Sequence, residues 1–467
     1  MISIEAYRDR SVAVFGLGAS GLSAARALAA GGARVSAWDD GPDRRAEIEA
    51  RLDDTIALAE PSPEAWADMA VLVLSPGVPL THPRPHAAVR LARRLGIEVL
   101  GDVELFARTR PTACLVAITG TNGKSTTTAL LGHILAQAGK RVEIGANLGR
   151  PVLDLNPLAA DGAYVLELSS YQIDLTRSLR PAVAVLMNLS PDHLDRHGDM
   201  AGYVRAKRRL FEMAGADSLA VVGVDDADSR DIADWLGAVG RRLVPVAVGR
   251  ALEDGIHVDD GVIYRARDGV SRPIASLAGI DSLLGAHNWQ NAAVATAVAL
   301  ELGLDEAAIQ DGLRSFPGLA HRMQRVAKVG GVVFVNDSKA TNAEAAAHAL
   351  AAYDRIHWIA GGLPKAGGIA GLADFFPKVE QAYLIGEAAG EFAQTLEGQV
   401  ACQASGDLET AVRAAYRAAS TAGGAGRVVL LSPACASFDQ FTSFEARGEA
   451  FIALVDELAQ RNCEAAP

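Results

Sequence analysis

The chain has 467 residues, 50% of them hydrophobic and 21% charged, proportions that belong to a folded globular protein and exclude a disordered one. Its 44 Lys and Arg against 56 Asp and Glu leave a formal charge of −12, which would repel a nucleic-acid backbone but leaves small anions possible, since backbone amides and one Lys can bind a phosphate. At roughly 100 to 200 residues per domain, three domains are expected.

Cys114, Cys402, Cys435 and Cys463 form no Cys-x-x-Cys pair, so neither a zinc site nor a disulfide framework is indicated, and a reduced cytoplasm fits. The first residues lack the cationic and apolar stretches of a signal peptide, and no run of about 18 uncharged apolar residues occurs. The expectation is a cytoplasmic protein that neither is secreted nor spans a membrane.

Along the chain, short apolar runs alternate with longer Ala-rich stretches of helical period, separated by turn residues. This is the rhythm of parallel sheets, so the fold class is α/β. Ser11 to Phe15 reads as a strand, followed by a Gly-rich turn, a helix from about Leu22 and a strand from Arg34 to Trp38. The turn Gly16-Leu17-Gly18-Ala19-Ser20-Gly21, with Asp39 about 20 residues on, has the spacing of a dinucleotide fingerprint. The geometry selects only a diphosphate and a sugar hydroxyl. NAD, a UDP-linked ligand and a purely structural turn therefore all remain open at this point.

A later strand, Val71 to Leu74, runs into Ser75-Pro76-Gly77, and after Arg110-Pro111 the pattern restarts with the strand Cys114 to Ile118. It leads into Thr119-Gly120-Thr121-Asn122-Gly123-Lys124-Ser125-Thr126, which carries the Gly-Lys-Ser of a P-loop, with Ile118 where the general pattern has Gly. In such a loop amides wrap the phosphates, the Lys neutralises them and the hydroxyl meets magnesium, so ATP is the expected ligand.

The strand Tyr164 to Leu168 contains Glu167, and Val183 to Asn188 leads into Asp192-His193-Leu194-Asp195, ahead of a helix with Lys207. The carboxyl ends of parallel strands form the ligand crevice, so these groups are expected near the phosphates. The competing readings are a turn or cap for Asp-His and a solvated face for Lys207 beside Arg208 and Arg209. After an Ala-rich helix around Asn291 to Leu304 and the Phe316-Pro317-Gly318 break, strands follow at Val332 to Val335, His357 to Ala360, Tyr383 to Ile385 and Val428 to Leu431.

Taken together, the P-loop, Glu-Leu-Ser-Ser-Tyr-Gln, Asn-Leu-Ser-Pro-Asp-His-Leu-Asp-Arg-His, His287-Asn288 with Asn291, His321-Arg322, Asn336 to Asn342 and Ser432 to Ser437 resemble the ATP-dependent Mur ligases over essentially the whole chain. The Asn-Asp-Ser-Lys-Ala-Thr-Asn and Ser-Pro-Ala-Cys-Ala-Ser-Phe-Asp-Gln-Phe segments are similar to the D-glutamate-adding branch of that family.

The resemblance implies three domains: a Rossmann-like UDP-binding domain over residues 1–106, a central P-loop ATPase domain with a mostly parallel sheet over 107–318, and a Rossmann-like amino-acid-binding domain over 319–467. It implies a UDP-substrate site of Ala19, Ser20, Asp39, Asp40, Ser75, Gly77 and Asn147, which displaces NAD. Nucleotide contacts follow at Gly120 to Thr126, that is Gly120, Thr121, Asn122, Gly123, Lys124, Ser125 and Thr126, and at Asn288, Asn291, Arg322 and Asp337. D-Glutamate contacts fall on Thr341, Lys365, Ser437 and Phe444. Ser125, Glu167, His193 and Lys207, the last as a carbamate, are implied ligands of one or two Mg2+ ions, and Lys124, Lys207 and His193 the catalytic groups.

The implied reaction joins D-glutamate to UDP-N-acetylmuramoyl-L-alanine through an acyl phosphate, in peptidoglycan precursor synthesis, by a monomer that binds neither nucleic acid nor membrane. A folylpolyglutamate synthase-like ligase would share the P-loop but lack the domain before it. A nicotinamide oxidoreductase would leave the P-loop unexplained, and a non-catalytic nucleotide-binding protein would not turn over.

Overall fold

The computed structural model describes residues 1–49, 55–364, 367–421, 423 and 426–464. They form three sheets within two compact bodies, one of residues 1–279 with 286–316 and one of 280–285 with 317–467.

The first sheet is parallel throughout, in the order Ile56–Leu58, Arg34–Trp38, Ser11–Phe15, Met69–Leu74, Glu98–Leu100. The order reverses at the central Ser11–Phe15 strand, and a crevice forms at such a switch point outside the carboxyl ends. The Gly-rich turn sits there. Its helix starts at Ala19, a turn earlier than the apolar pattern indicated, because Gly18 in extended backbone serves as the N-cap. Gly21 is required by packing, since a Cβ there would lie 1.8 Å from the Gly16 carbonyl oxygen.

The second sheet, in the same body, runs Val142–Ala146, Ala163–Glu167, Cys114–Thr119, Val183–Leu186, Leu219–Gly223, Leu243–Val248, Gly255–Asp259 in parallel. Two antiparallel strands, Val262–Arg267 and Val270–Ser276, extend its edge. Their turns carry Asp260-Gly261 and Asp268-Gly269 with both Gly at positive φ, a hairpin signal in the sequence. A single apolar cluster runs from the first sheet (Val12, Val71) through Phe106 to the second (Ala117, Leu166, Ala184).

In the other body, Gln324–Val329 pairs antiparallel with Val332–Asn336, and Val428–Leu431, Ile356–Gly361, Val379–Ile385 and Cys402–Gly406 follow in parallel. No helix among the described residues is long and apolar enough to cross a membrane.

Candidate active site

The strand Cys114–Thr119 hands the chain to the P-loop, and the helix Lys124–Gln137 takes it on. Gly120 and Gly123 have φ of +145° and +82°, backbone that favours glycine. At Gly123 a Cβ would meet the Asn291 carboxamide oxygen at 2.2 Å. The Thr127 hydroxyl donates to that oxygen at 3.2 Å, and Asn291 Nδ2 donates to Asn288 Oδ1 at 3.1 Å. Two of the expected nucleotide contacts, Asn288 and Asn291, thus lie on the helix Ala286–Glu301, with Asn291 against the loop. Lys124 Nζ donates to its own loop, at the Thr121 carbonyl, at 2.7 Å, while Ser125 and Thr126 are buried in the first helical turn.

The loop is braced by residues to which the sequence reading gave no role in the site. Asn122 N–H donates to Asn188 Oδ1 at 2.8 Å, Asn188 Nδ2 donates to Gln290 Oε1 at 2.8 Å, and Gln290 Nε2 donates to Asp225 Oδ2 at 3.2 Å. Thr121 Oγ1 meets the Tyr203 hydroxyl at 3.1 Å.

Glu167 ends its strand beside Ile118 and is 2% exposed. Asn147 Nδ2 donates to its Oε1 at 2.6 Å, and its buried Oε2 has no hydrogen-bond partner. A buried carboxylate oxygen left so is costly unless a donor or cation meets it, so the residue fits a hard cation. His193 is half exposed, at φ +53° ahead of the short helix Leu194–His197, with Nε2 3.3 Å from Asp192 Oδ2. Tyr171 and Tyr203 flank its ring at 5.0 and 6.5 Å between centroids.

Lys207 overturns the picture of a solvated helix face: it is 1% exposed in the helix Met200–Met213. Nζ donates to the Gly120 carbonyl at 2.8 Å and to Thr119 Oγ1 at 3.3 Å, and lies 4.7 Å from the Tyr203 ring centroid. Burial, reinforced by the Lys124 charge, holds its pKa well below the usual lysine value. His197, four residues beyond His193, is also buried. Its Nε2 meets Ser170 Oγ at 2.9 Å, and burial together with the charges of Lys207, His193, Arg196 and His82 takes its pKa down to about 4. Among the described residues no three His, Cys, Asp or Glu cluster as a metal site. The expected ligand set draws only Glu167 and His193 from those types.

At the first sheet, Asp39 holds the Gly-rich turn, because Leu17 and Gly41 donate backbone N–H groups to its two carboxylate oxygens at 2.7 and 2.9 Å. Asp40 Oδ2 pairs with His86 Nε2 at 2.9 Å. Ala19 and Ser20 open the following helix, and Ser75 N–H donates to the Phe15 carbonyl at 2.9 Å, setting Ser75 and Gly77 on the neighbouring strand end.

In the second body Asp337 is buried, and its carboxylate accepts from Ser432 Oγ at 2.7 Å and from Met323 N–H at 3.1 Å. Burial raises its pKa to about 7, with Arg322 opposing. A residue that sequence reading missed, Arg447, lies 1% exposed beneath three expected segments. It donates to Ser338 Oγ and O at 2.9 Å and to the Cys435 and Ala436 carbonyls at 3.1 and 3.3 Å. Ser338 in turn donates to the Phe444 carbonyl at 2.8 Å. Phe444 and the segments next to Thr341 and Ser437 are thereby tied together, while Lys365 lies outside the described residues.

Residues 10–101 match the Mur ligase MurD-like N-terminal domain, 118–299 the Mur ligase middle domain, and 321–435 the Mur ligase glutamate ligase domain. The chain is 52% identical over 467 residues to a protein of Caulobacter sp. (strain K31) named UDP-N-acetylmuramoylalanine--D-glutamate ligase, covering 98% of this chain and 99% of that one. The chain belongs to the Mur ligase family. A relative of the same name from Nitrobacter hamburgensis is 54% identical to this Mur ligase over 462 residues, covering 98% of each. The fold of this Mur ligase is shared with the UDP-N-acetylmuramate-alanine ligase MurC of Thermotoga maritima, at TM-score 0.59 and 17% identity over 96% of this chain and 100% of that one. MurF of Acinetobacter baumannii also has TM-score 0.59, at 20% identity over 92% and 91%. This Mur ligase thus has the three-domain α/β fold with mostly parallel sheets.

Proposed function

We propose that the chain is an ATP-dependent ligase that adds D-glutamate to UDP-N-acetylmuramoyl-L-alanine in peptidoglycan precursor synthesis. The observation that carries this is the 52–54% identity, over almost the whole length, to ligases named for that reaction. We read the domains as residues 1–106, 107–318 and 319–467, bounds that contain the three matched family segments.

A carboxylate resists attack by an amine until one oxygen becomes a leaving group. The alanyl carboxylate oxygen therefore attacks the γ-phosphorus of ATP, the bond to the bridging oxygen breaks, and ADP leaves an acyl phosphate. The D-glutamate amine then attacks the acyl carbon, phosphate departs with the C–O electron pair, and the new amide nitrogen loses a proton. Both steps gather anions, and fixed cations aimed at that charge lower the barrier.

Lys124 supplies one cation at the start of the P-loop helix, whose amides face the phosphates. Ser125, Glu167 and His193, with Lys207 as a carbamate, would hold magnesium, which when bound neutralises phosphate charge. The orphaned Oε2 of Glu167 supports this set. Carbamylation of Lys207 needs a neutral amine to add to the carbon of carbon dioxide and then lose a proton. Its burial beside Lys124 favours that form. Asn147, bonded to Glu167, is suited to hold the acceptor carboxylate near that metal site.

The Asp337 carboxyl and Arg322 serve the nucleotide, and Thr341, Lys365, Ser437 and Phe444 the amino acid. Ala19, Ser20, Asp39, Asp40, Ser75 and Gly77 hold the UDP moiety, with Asp39 acting through the Gly-rich turn. We read the protein as a cytoplasmic monomer using small molecules alone, without NAD; the −12 charge argues against nucleic acid. ADP release that requires both UDP-N-acetylmuramoyl-L-alanine and D-glutamate tests the reading. Equal turnover with L-glutamate, or a preference for L-lysine, overturns it.

A further inference from the structure

The short helix Leu194–His197 bridges two sheets of the first body. At one end the His193 ring lies 6.5 Å from that of Tyr203, whose hydroxyl meets Thr121 Oγ1 of the P-loop at 3.1 Å. At the other, Gly198 at φ +86° lies against the first sheet's loop, since a Cβ there would be 3.2 Å from His82 Nε2. Between them Arg196 crosses to the segment after the strand Met69–Leu74. Its guanidinium donates to the Gly77 carbonyl at 2.9 Å, the Val78 carbonyl at 3.2 Å and the Pro76 carbonyl at 3.3 Å. The same guanidinium lies 4.3 Å from the centroid of the Tyr171 ring, whose other neighbours are the rings of His193 and His197 at 5.0 and 5.7 Å.

A rigid five-donor fork on three successive carbonyls fixes the path of that segment, and lysine cannot reproduce the geometry. Tyr171 and the four-residue helix thus join that segment to His193 through packed contacts.

We propose that Arg196 is a positioning residue that couples binding of the UDP-linked substrate at Ser75–Gly77 to the placement of His193 at the nucleotide phosphates. This rests on the function proposed above and adds to it a linkage between the two sites. Such a linkage is reciprocal: each ligand alters the affinity of the other by the same factor. It runs through a continuous set of packed groups rather than through distance alone.

Calorimetric titration of the full chain with a non-hydrolysable ATP analogue, with and without saturating UDP-N-acetylmuramoyl-L-alanine, tests it. In the native protein the UDP substrate should tighten the analogue by roughly fivefold or more, within the usual range of such coupling. In Arg196→Ala the analogue should still bind alone, the UDP substrate should bind more weakly but to saturation, and the ratio should fall to about one. Arg196→Lys, which keeps the charge on a comparable stem, should fold and behave like the Ala variant. A native ratio of one, a ratio preserved in Arg196→Lys, or loss of analogue binding alone in that variant would each overturn the proposal. Failure of the native chain to bind the UDP substrate at all would instead overturn the function on which the proposal rests, so the two failures are distinct.

Discussion

Lys207 Nζ donates to the carbonyl of Gly120, the P-loop residue at φ +145°, from a side chain only 1% exposed. An ammonium has donors and no acceptor, so in that form the residue cannot ligate a metal. As a carbamate it would present oxygens to a hard cation. Lys207→Ala is expected to lose activity by about 10² to 10³ or more, and acetate or formate entering the vacated space should restore part of it. Lys207→Arg should stay inactive with either addition. Full activity of Lys207→Ala in bicarbonate-depleted buffer, or the same loss and rescue in Arg208→Ala, would remove Lys207 from the site.

Lys124→Ala should lower turnover by about 10² to 10³, the scale for deleting one group aimed at transition-state charge. Folding should survive, since the loop keeps its hydrogen bonds of Asn122 to Asn188 and Thr121 to Tyr203 when the Lys124 Nζ bond to the Thr121 carbonyl is lost. Steady-state kinetics with circular dichroism checks both halves, and a folded variant with normal turnover would place the phosphates elsewhere.

How much of this was legible in the sequence is clearest at Lys207. Its neighbours Arg208 and Arg209 suggest a solvated face, yet Tyr203, Ala206, Leu210 and Phe211 are buried in the same helix. Lys207 falls in that stripe, at the spacing of 3 and 4 residues that defines a helix face. Arg447 is the same case, four residues before buried Phe451. A cation inside an apolar stripe is a signal that composition of the neighbourhood hides. The P-loop and the parallel character of the sheets were readable because strand, Gly turn and helix follow one another locally. The bracing by Asn188, Gln290 and Tyr203 was not, because it joins residues 66 to 102 positions apart.

His197 has its pKa lowered to about 4, chiefly by burial. Its unfolded value is about 6.5, so the unfolded chain takes up the proton first as pH falls. The stability that neutral His197 preserves is complete above about pH 6.5 and is lost progressively down to about 4, by about 3 kcal/mol at most. Thermal unfolding from pH 7.5 to 4.5 should therefore fall more steeply for the native chain than for His197→Gln. Parallel curves would contradict the assignment.

Asp337 has the opposite sign. Its pKa rises from 3.8 to about 7 on burial, so the folded state holds the proton more tightly than the unfolded one. The cost of burying it grows as pH climbs between those values and is constant above, at about 4 kcal/mol at most. Asp337→Asn, neutral throughout, should gain thermal stability relative to the native chain as pH rises from 5 to 7.5. A difference independent of pH would show that Asp337 is ionised in the folded protein across this range.

The most direct measurement is ADP release by the purified chain, given ATP, magnesium and UDP-N-acetylmuramoyl-L-alanine, across a panel of D-glutamate, L-glutamate, diaminopimelate and L-lysine. Turnover with D-glutamate, little with the other three, and none when the UDP substrate is omitted is the expected result. Turnover that ignores the UDP substrate, or that favours any other amino acid in the panel, would contradict the account.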